Sequence, residues 1–323
     1  MPTPNKLIVG AYATAPSTLG WDKAKETSYY RALGEHPLVG GIEHPFTGRL
    51  HPHDELWFAE NIASDWQVVF TTIPGVMARL SNNPKFGIAS TDALGRDEAL
   101  AFYQSARQAI CKLNAHKGHQ VVTHIQLHSA PVNTANNASR QALMDSLTEL
   151  STWDWDGTKL VIEHCDAFNS EQLPQKGFLS LTDEIAAISQ VNQQQGCDIG
   201  LSINWGRSAI EGLSIETPIE HIRQAKDAGL LTGLIFSGAC DDPSSPYGLW
   251  QDAHMPPAFD SSIEHYAPES LMSAQQISRS VQAANNDLGF IGGKISVRPN
   301  NLTIEQRVQY NTSLLALINR AYQ

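Results

Sequence analysis

The chain has 323 residues, of which 41% are hydrophobic and 17% charged, with a formal net charge of −11. That composition is too apolar for a disordered chain. With no Lys/Arg run, it also lacks the basic footprint of a nucleic-acid binder. The length fits one large α/β barrel, which takes about 250 residues plus insertions, as readily as two smaller domains.

Cys111, Cys165, Cys197 and Cys240 are scattered, with no C-x-x-C pair. They form neither a disulfide framework nor a zinc-finger spacing, and read as reduced thiols. Met1 to Lys6 is polar and proline-containing, unlike a signal peptide, and no window is long and apolar enough to span a bilayer. A cytoplasmic location is expected, with no membrane or nucleic-acid partner; a homodimer stays open.

Eight short apolar runs follow in order: Leu7 to Ala11, Val39 to Glu43, Trp66 to Ile73, Gln120 to His128, Lys159 to Cys165, Ile199 to Asn204, Leu231 to Ser237 and Phe290 to Val297. Helical patterns lie between them at Asp97 to Leu113, Ser139 to Leu150, Leu181 to Gln194, Pro218 to Ala228, Ala274 to Ala284 and Ile304 to Ala321. Thr303 with Gln306 fits a capping box, and Gly196 and Gly229 stand where helices end. Repeated strand–helix alternation predicts a parallel sheet. Eight units predict a single closed (β/α)8 TIM barrel over residues 1–323 rather than an open doubly wound sheet. Gly10-Ala11-Tyr12-Ala13 after the first run is not a dinucleotide fingerprint. Pro74 to Leu94 and Ala239 to Met272 read as long loops. The second carries aromatic residues and is expected to close over the site.

Side chains alternate faces along a strand, and the face toward the helices should be aliphatic. That parity sends His124, Gln126 and His128 inward from the fourth run, and Ser202 and Asn204 from the sixth. It sends Ser237 inward from the seventh and Lys294, Ser296 and Arg298 from the eighth. Glu43 and Glu163 follow the same rule in the second and fifth. A ring of Glu43, His128, Glu163, Asn204, Ser237 and Lys294 is therefore expected at the C-terminal ends of the strands. Barrel interiors are ordinarily filled by Val, Ile and Leu, and unpaired buried charge is costly, so this ring reads as a site. Two outlying motifs weigh less: His51-Pro52-His53 in a loop, and Cys165 as a packing residue.

Ile162-Glu163-His164-Cys165-Asp166, Ile203-Asn204-Trp205-Gly206, Ile235-Phe236-Ser237 and Gly293-Lys294-Ile295, in this order, resemble the xylose isomerase-like TIM barrels. The closest likeness is to a bacterial subfamily known only as a domain of unknown function. The resemblance implies a sugar isomerase or epimerase that moves a proton on the carbon beside a carbonyl, and a small carbohydrate-like ligand. It also implies a divalent metal (Mn, Mg or Zn) held by Glu163 and by Asp, His and Glu on later strands. Here those later positions are Asn204, Ser237 and Lys294, so no metal is expected, Lys294 taking over its charge. A shifted metal site would use Glu163, His128 and Asp166. In the enzyme reading Glu163 and Glu43 serve as acid and base. Lys294 stabilises an oxyanion or forms a Schiff base. His128, Asn204, Ser237, Arg298, His124 and Trp205 bind substrate. The alternative is a non-catalytic carbohydrate-binding or regulatory barrel.

Overall fold

The structure, a computed structural model, describes residues 7–17, 20–134, 136–285 and 288–322; Met1 to Lys6, whose polarity spoke against a signal peptide, lie outside them. Eight strands form among the described residues: β1 Leu7–Val9, β2 Val39–Pro45, β3 Gln67–Thr71, β4 Val122–Leu127, β5 Lys159–His164, β6 Gly200–Asn204, β7 Leu231–Phe236 and β8 Phe290–Gly293. Each runs parallel to the next, and β8 pairs back onto β1, so the sheet closes as a (β/α)8 barrel.

Among the described residues ten α-helices surround it: α1 Lys23–Gly34, α2 Glu55–Asn61, α3 Ile73–Leu80, α4 Ala93–Lys117, α5 Arg140–Ser151, α6 Leu181–Gln195, α7 Trp205–Gly212, α8 Thr217–Asp227, α9 Ala274–Ala284 and α10 Ile304–Ala321. Local chemistry sets many of their ends. The Thr303–Gln306 capping box starts α10, and Gly196, at φ 65°, closes α6 in the left-handed region that suits glycine. Asp22, Asp54 and Asp92 accept backbone N–H bonds at the starts of α1, α2 and α4.

Three expectations need correction. Pro74 to Leu94 is not wholly loop, because Ile73–Leu80 is helical with proline in its first turn, a position that needs no N–H partner. The helices α1, α2 and α7 went unread: α2 is short, α7 is short and buried from Trp205 to Ile210, and α1 buries one stripe of Glu26, Tyr29, Tyr30 and Leu33 in which a glutamate interrupts the apolar pattern. The eighth strand stops at Gly293, four residues before Val297, so parity does not carry on to Arg298. That residue is exposed, its guanidinium bonded to the Pro246 carbonyl and 4.9 Å from the Tyr247 ring centre.

The main apolar core lies between barrel and helices. Inside the barrel a second, small cluster holds Ile8, Val69, Val161 and Ile235, one from each odd strand, with Phe290 beneath. This is the alternate-strand layering of a TIM barrel. His124 packs on Phe290, ring centres 4.9 Å apart, level with the first residue of β5. It plugs the N-terminal end, away from the mouth, and is no ligand contact there. Above the apolar layer the inward positions turn polar. No helix among the described residues is long and apolar enough to cross a membrane.

Candidate active site

The strand parity that puts Val161 in the apolar layer puts Glu163, two residues on, at the mouth. Lys294 follows β8, its N–H bonded to the Phe236 carbonyl at 2.8 Å. Its ammonium lies 3.2 and 3.0 Å from the two oxygens of Glu43 and 3.7 Å from Glu163 Oε1. Gly10 makes room for it, because a Cβ there would stand 2.8 Å from Lys294 Cβ and Cγ.

Glu163 is held from every other side. His128 Nε2 reaches its Oε2 at 2.9 Å, Arg207 Nη1 the same oxygen at 2.8 Å, and Asn204 Nδ2 its Oε1 at 3.3 Å. Asn204 also caps α7, accepting from the Arg207 N–H, and so aims Arg207 inward from that helix's first turn. The guanidinium continues to Asp252 Oδ2 at 3.1 Å, where Lys176 Nζ joins at 3.0 Å. His254 Nδ1 is 3.2 Å from Asp252 Oδ1 and 2.9 Å from Ser237 Oγ. Three carboxylates thus meet three cations. Glu43, His128, Glu163, Asn204, Arg207, Ser237 and Lys294 are each at most 1% exposed. Asp252 and His254 belong to the loop Ala239 to Met272, which docks on the mouth through them.

The two central carboxyls are pushed apart. Burial raises Glu43 above its ordinary value, and Lys294 only partly offsets this. Burial acts the same way on Glu163, but Arg207 and Lys294 outweigh it and hold that carboxyl well below the usual range. Burial alone would lower Lys294, yet Glu163 and Glu43 drive it above its ordinary value, so it stays an ammonium. His128 is lowered to about 4, by burial against the opposing pull of Glu163. It is neutral at pH 7, donating from Nε2, while its Nδ1 meets the Thr72 hydroxyl at 3.0 Å.

Of the residues singled out in the sequence, Glu43, His128, Glu163, Asn204, Ser237 and Lys294 meet at the mouth; Arg298 and His124 do not. Trp205 is buried in the main apolar core, its indole N–H without a partner among the described residues. Asp166 points elsewhere, its oxygens taken by the backbone N–H groups of Gln175, Lys176 and Gly177. Cys165 is buried against Arg207, its thiol raised by burial. His53 stacks on Trp21 at 5.3 Å. Sequence reasoning missed Arg207, Asp252 and Tyr12. For Arg207 a signal existed: an N-cap asparagine at a strand end with an arginine three residues on. Tyr12 feels the charges of Lys294 and Glu43 and borders a cavity of about 280 Å³, lined also by Trp21, Glu26, Tyr30, His44 and His51.

The family profile described as "Domain of unknown function (DUF4862)" matches residues 8–310. Uncharacterized protein STM3670 of Salmonella typhimurium (strain LT2) is 37% identical over 291 residues, 89% of this chain and 88% of that protein. The crystal structure of D-psicose 3-epimerase in the presence of D-fructose superposes with TM-score 0.54 at 14% identity, covering 98% of this chain and 96% of that one. A xylose isomerase domain protein from Alicyclobacillus acidocaldarius superposes with TM-score 0.52 at 12% identity, covering 98% and 99%. At such identities the two structures establish a shared fold. The chain belongs to the DUF4862 family, and its closed barrel shares its fold with the epimerase and the xylose isomerase domain protein.

Proposed function

We propose that the chain is a sugar isomerase- or epimerase-like enzyme that moves a proton on the carbon beside a carbonyl, with Lys294 supplying the positive charge. The observation that carries the reading is Lys294 Nζ set between two carboxyls whose pKa values are driven in opposite directions. Pairs split in this way mark acid–base assignments. Glu43, raised, takes the carbon-bound proton. The C–H electron pair moves toward the carbonyl, whose oxygen becomes an oxyanion facing the Lys294 ammonium. Glu43 returns the proton to the neighbouring carbon while that carbon's hydroxyl proton passes to the oxyanion, which isomerises the sugar; epimerisation instead needs a proton delivered to the opposite face by a second donor, a water or a substrate hydroxyl, with Glu43 keeping the one it took. Glu163 stays ionised and holds Lys294 and Arg207 in place. Because both carboxyls keep Lys294 protonated, Schiff-base chemistry is disfavoured. The sugar class rests on the shared fold with D-psicose 3-epimerase.

The divalent metal implied by the resemblance does not fit these donors. Its positions hold one carboxylate, an amide, a hydroxyl and an ammonium: Glu163, Asn204, Ser237 and Lys294. Glu163 already faces a guanidinium at 2.8 Å and an ammonium at 3.7 Å. An ammonium 4 Å from an ion repels it by about 4 kcal/mol per unit charge at an effective dielectric of 20. The shifted set fails at Asp166, whose oxygens are spent on backbone N–H groups. No step is therefore routed through a metal.

One observation favours the second reading, a carbohydrate-binding barrel without turnover: the ring is sealed and charge-balanced as it stands. A panel of aldoses and ketoses offered to chelator-treated protein separates the two. Conversion that survives chelation and vanishes in Lys294→Ala supports the enzyme. Conversion that needs added metal overturns the Lys294 reading, and saturable sugar binding without conversion supports the binding barrel.

A further inference from the structure

On the outer wall of the barrel, facing away from the ring, β5 and the helices α6, α7 and α8 bring together a second group of titratable side chains. Strand alternation that turns Glu163 inward turns His164 outward. His164 Nε2 lies 2.9 Å from Glu211 Oε2, and His221 Nε2 lies 3.7 Å from Glu211 Oε1. The ligand-type atoms of these three residues all fall within 4.8 Å of one another. We propose that His164, Glu211 and His221 form a binding site for a divalent transition metal of the zinc class, separate from the sugar site.

The outer partners of both rings support it. His164 Nδ1 bonds Glu184 Oε2 at 2.7 Å, and His221 Nδ1 bonds Ser208 Oγ at 3.0 Å. Each imidazole is thus pinned through Nδ1 and offers Nε2 toward Glu211. A carboxylate or hydroxyl behind each ligating histidine is the arrangement that orients and strengthens such ligands. Glu184 is itself fixed by the Ser129 hydroxyl, and Glu211 by the Ala167 N–H at 2.9 Å.

The spacing suits the ion. A tetrahedral zinc with bonds of about 2.0–2.1 Å holds its ligand atoms about 3.3–3.4 Å apart. His164 Nε2 lies 2.9 Å from Glu211 Oε2 and His221 Nε2 3.7 Å from its other oxygen, and the three ligand atoms fall within 4.8 Å of one another, so a Glu211 rotation that turns one oxygen to both rings brings them toward that spacing. Two imidazoles and one carboxylate favour zinc-class ions over Mg²⁺ or Ca²⁺, which prefer oxygen-only shells. The Glu211 side chain is 20% exposed and that of His221 9% exposed, so the fourth position opens to water. Binding expels the proton between His164 and Glu211 into solvent. The bound ion clips α7 and α8 to the outer face of β5, the strand whose inner face carries Glu163.

The test is a zinc chloride titration of the metal-stripped full-length chain by calorimetry, with cobalt(II) absorption as a second readout. Expected are about one ion per chain, tetrahedral-type cobalt bands and a higher thermal midpoint with zinc. His221→Gln should weaken binding by more than roughly 100-fold, and Ser208→Ala by roughly 10-fold. Circular dichroism checks that each variant folds; should H221Q fail, S208A decides alone. No saturable uptake, or uptake that these variants leave unchanged, overturns the site.

Discussion

Replacing Lys294 by methionine removes an ammonium that sits 3.0 and 3.2 Å from Glu43 and 3.7 Å from Glu163. Methionine keeps most of the stem's volume, so the loss is mainly electrostatic. Removing one partner of a buried pair typically costs about 3–5 kcal/mol, because the other charge is left uncompensated. Glu43→Gln should cost less, about 1–3 kcal/mol, since Lys294 retains Glu163. The double variant K294M/E43Q should recover part of the loss, with a coupling of about 0.5–3 kcal/mol. Equilibrium unfolding in guanidinium chloride, compared across the four proteins, measures it. Costs that add to within about 0.5 kcal/mol would refute the pairing.

Gly10→Ala places a Cβ 2.8 Å from Lys294 Cβ and Cγ; it should destabilise by about 1–3 kcal/mol in the same assay, with turnover falling further than stability. Asp252→Asn weakens the charged anchor of the Ala239 to Met272 loop on Arg207 and Lys176; limited proteolysis should then cut inside that loop faster than in the parent, and an unchanged cleavage rate would show that the loop docks by other contacts. In metal-stripped protein, stability should peak near neutral pH. His51, His124, His128 and His221, ordinarily near 6.5, are lowered by burial to about 4; the unfolded chain then binds more protons between these values, so stability drops as pH falls from 6.5 to 4. His164 is the opposite case: burial would lower it, but Glu184 and Glu211 raise it to about 10. Its contribution is complete below 6.5 and lost as pH rises toward 10. Thermal midpoints measured from pH 4 to 10 check both limbs.

The barrel was legible because each strand is a short buried run and the count of units closes the sheet. The ring was legible because parity is strict inside a strand: Glu43, Glu163, Asn204 and Lys294 sit in or directly beside regular β-structure. Where the strand stops, the rule stops. Arg298 lies five residues past Gly293, so alternation said nothing about it. His124 has inward parity but the wrong height, and parity carries no information about depth. Arg207 comes from a helix start and Asp252 from an irregular loop, and neither has a period to read. The His164–Glu211–His221 group joins β5 to the consecutive helices α7 and α8, some 47 residues further on, with no spacing that marks it.

Solvent deuterium exchange tests the central claim most directly. Chelator-treated protein is incubated with ketoses and aldoses in deuterium oxide, and the hydrogens beside each carbonyl are followed by proton NMR. The parent chain should wash deuterium into one such position of a sugar it converts. Glu43→Gln should abolish the exchange while retaining sugar binding. Exchange that persists in Glu43→Gln, or that appears only when a divalent metal is restored, would contradict the account.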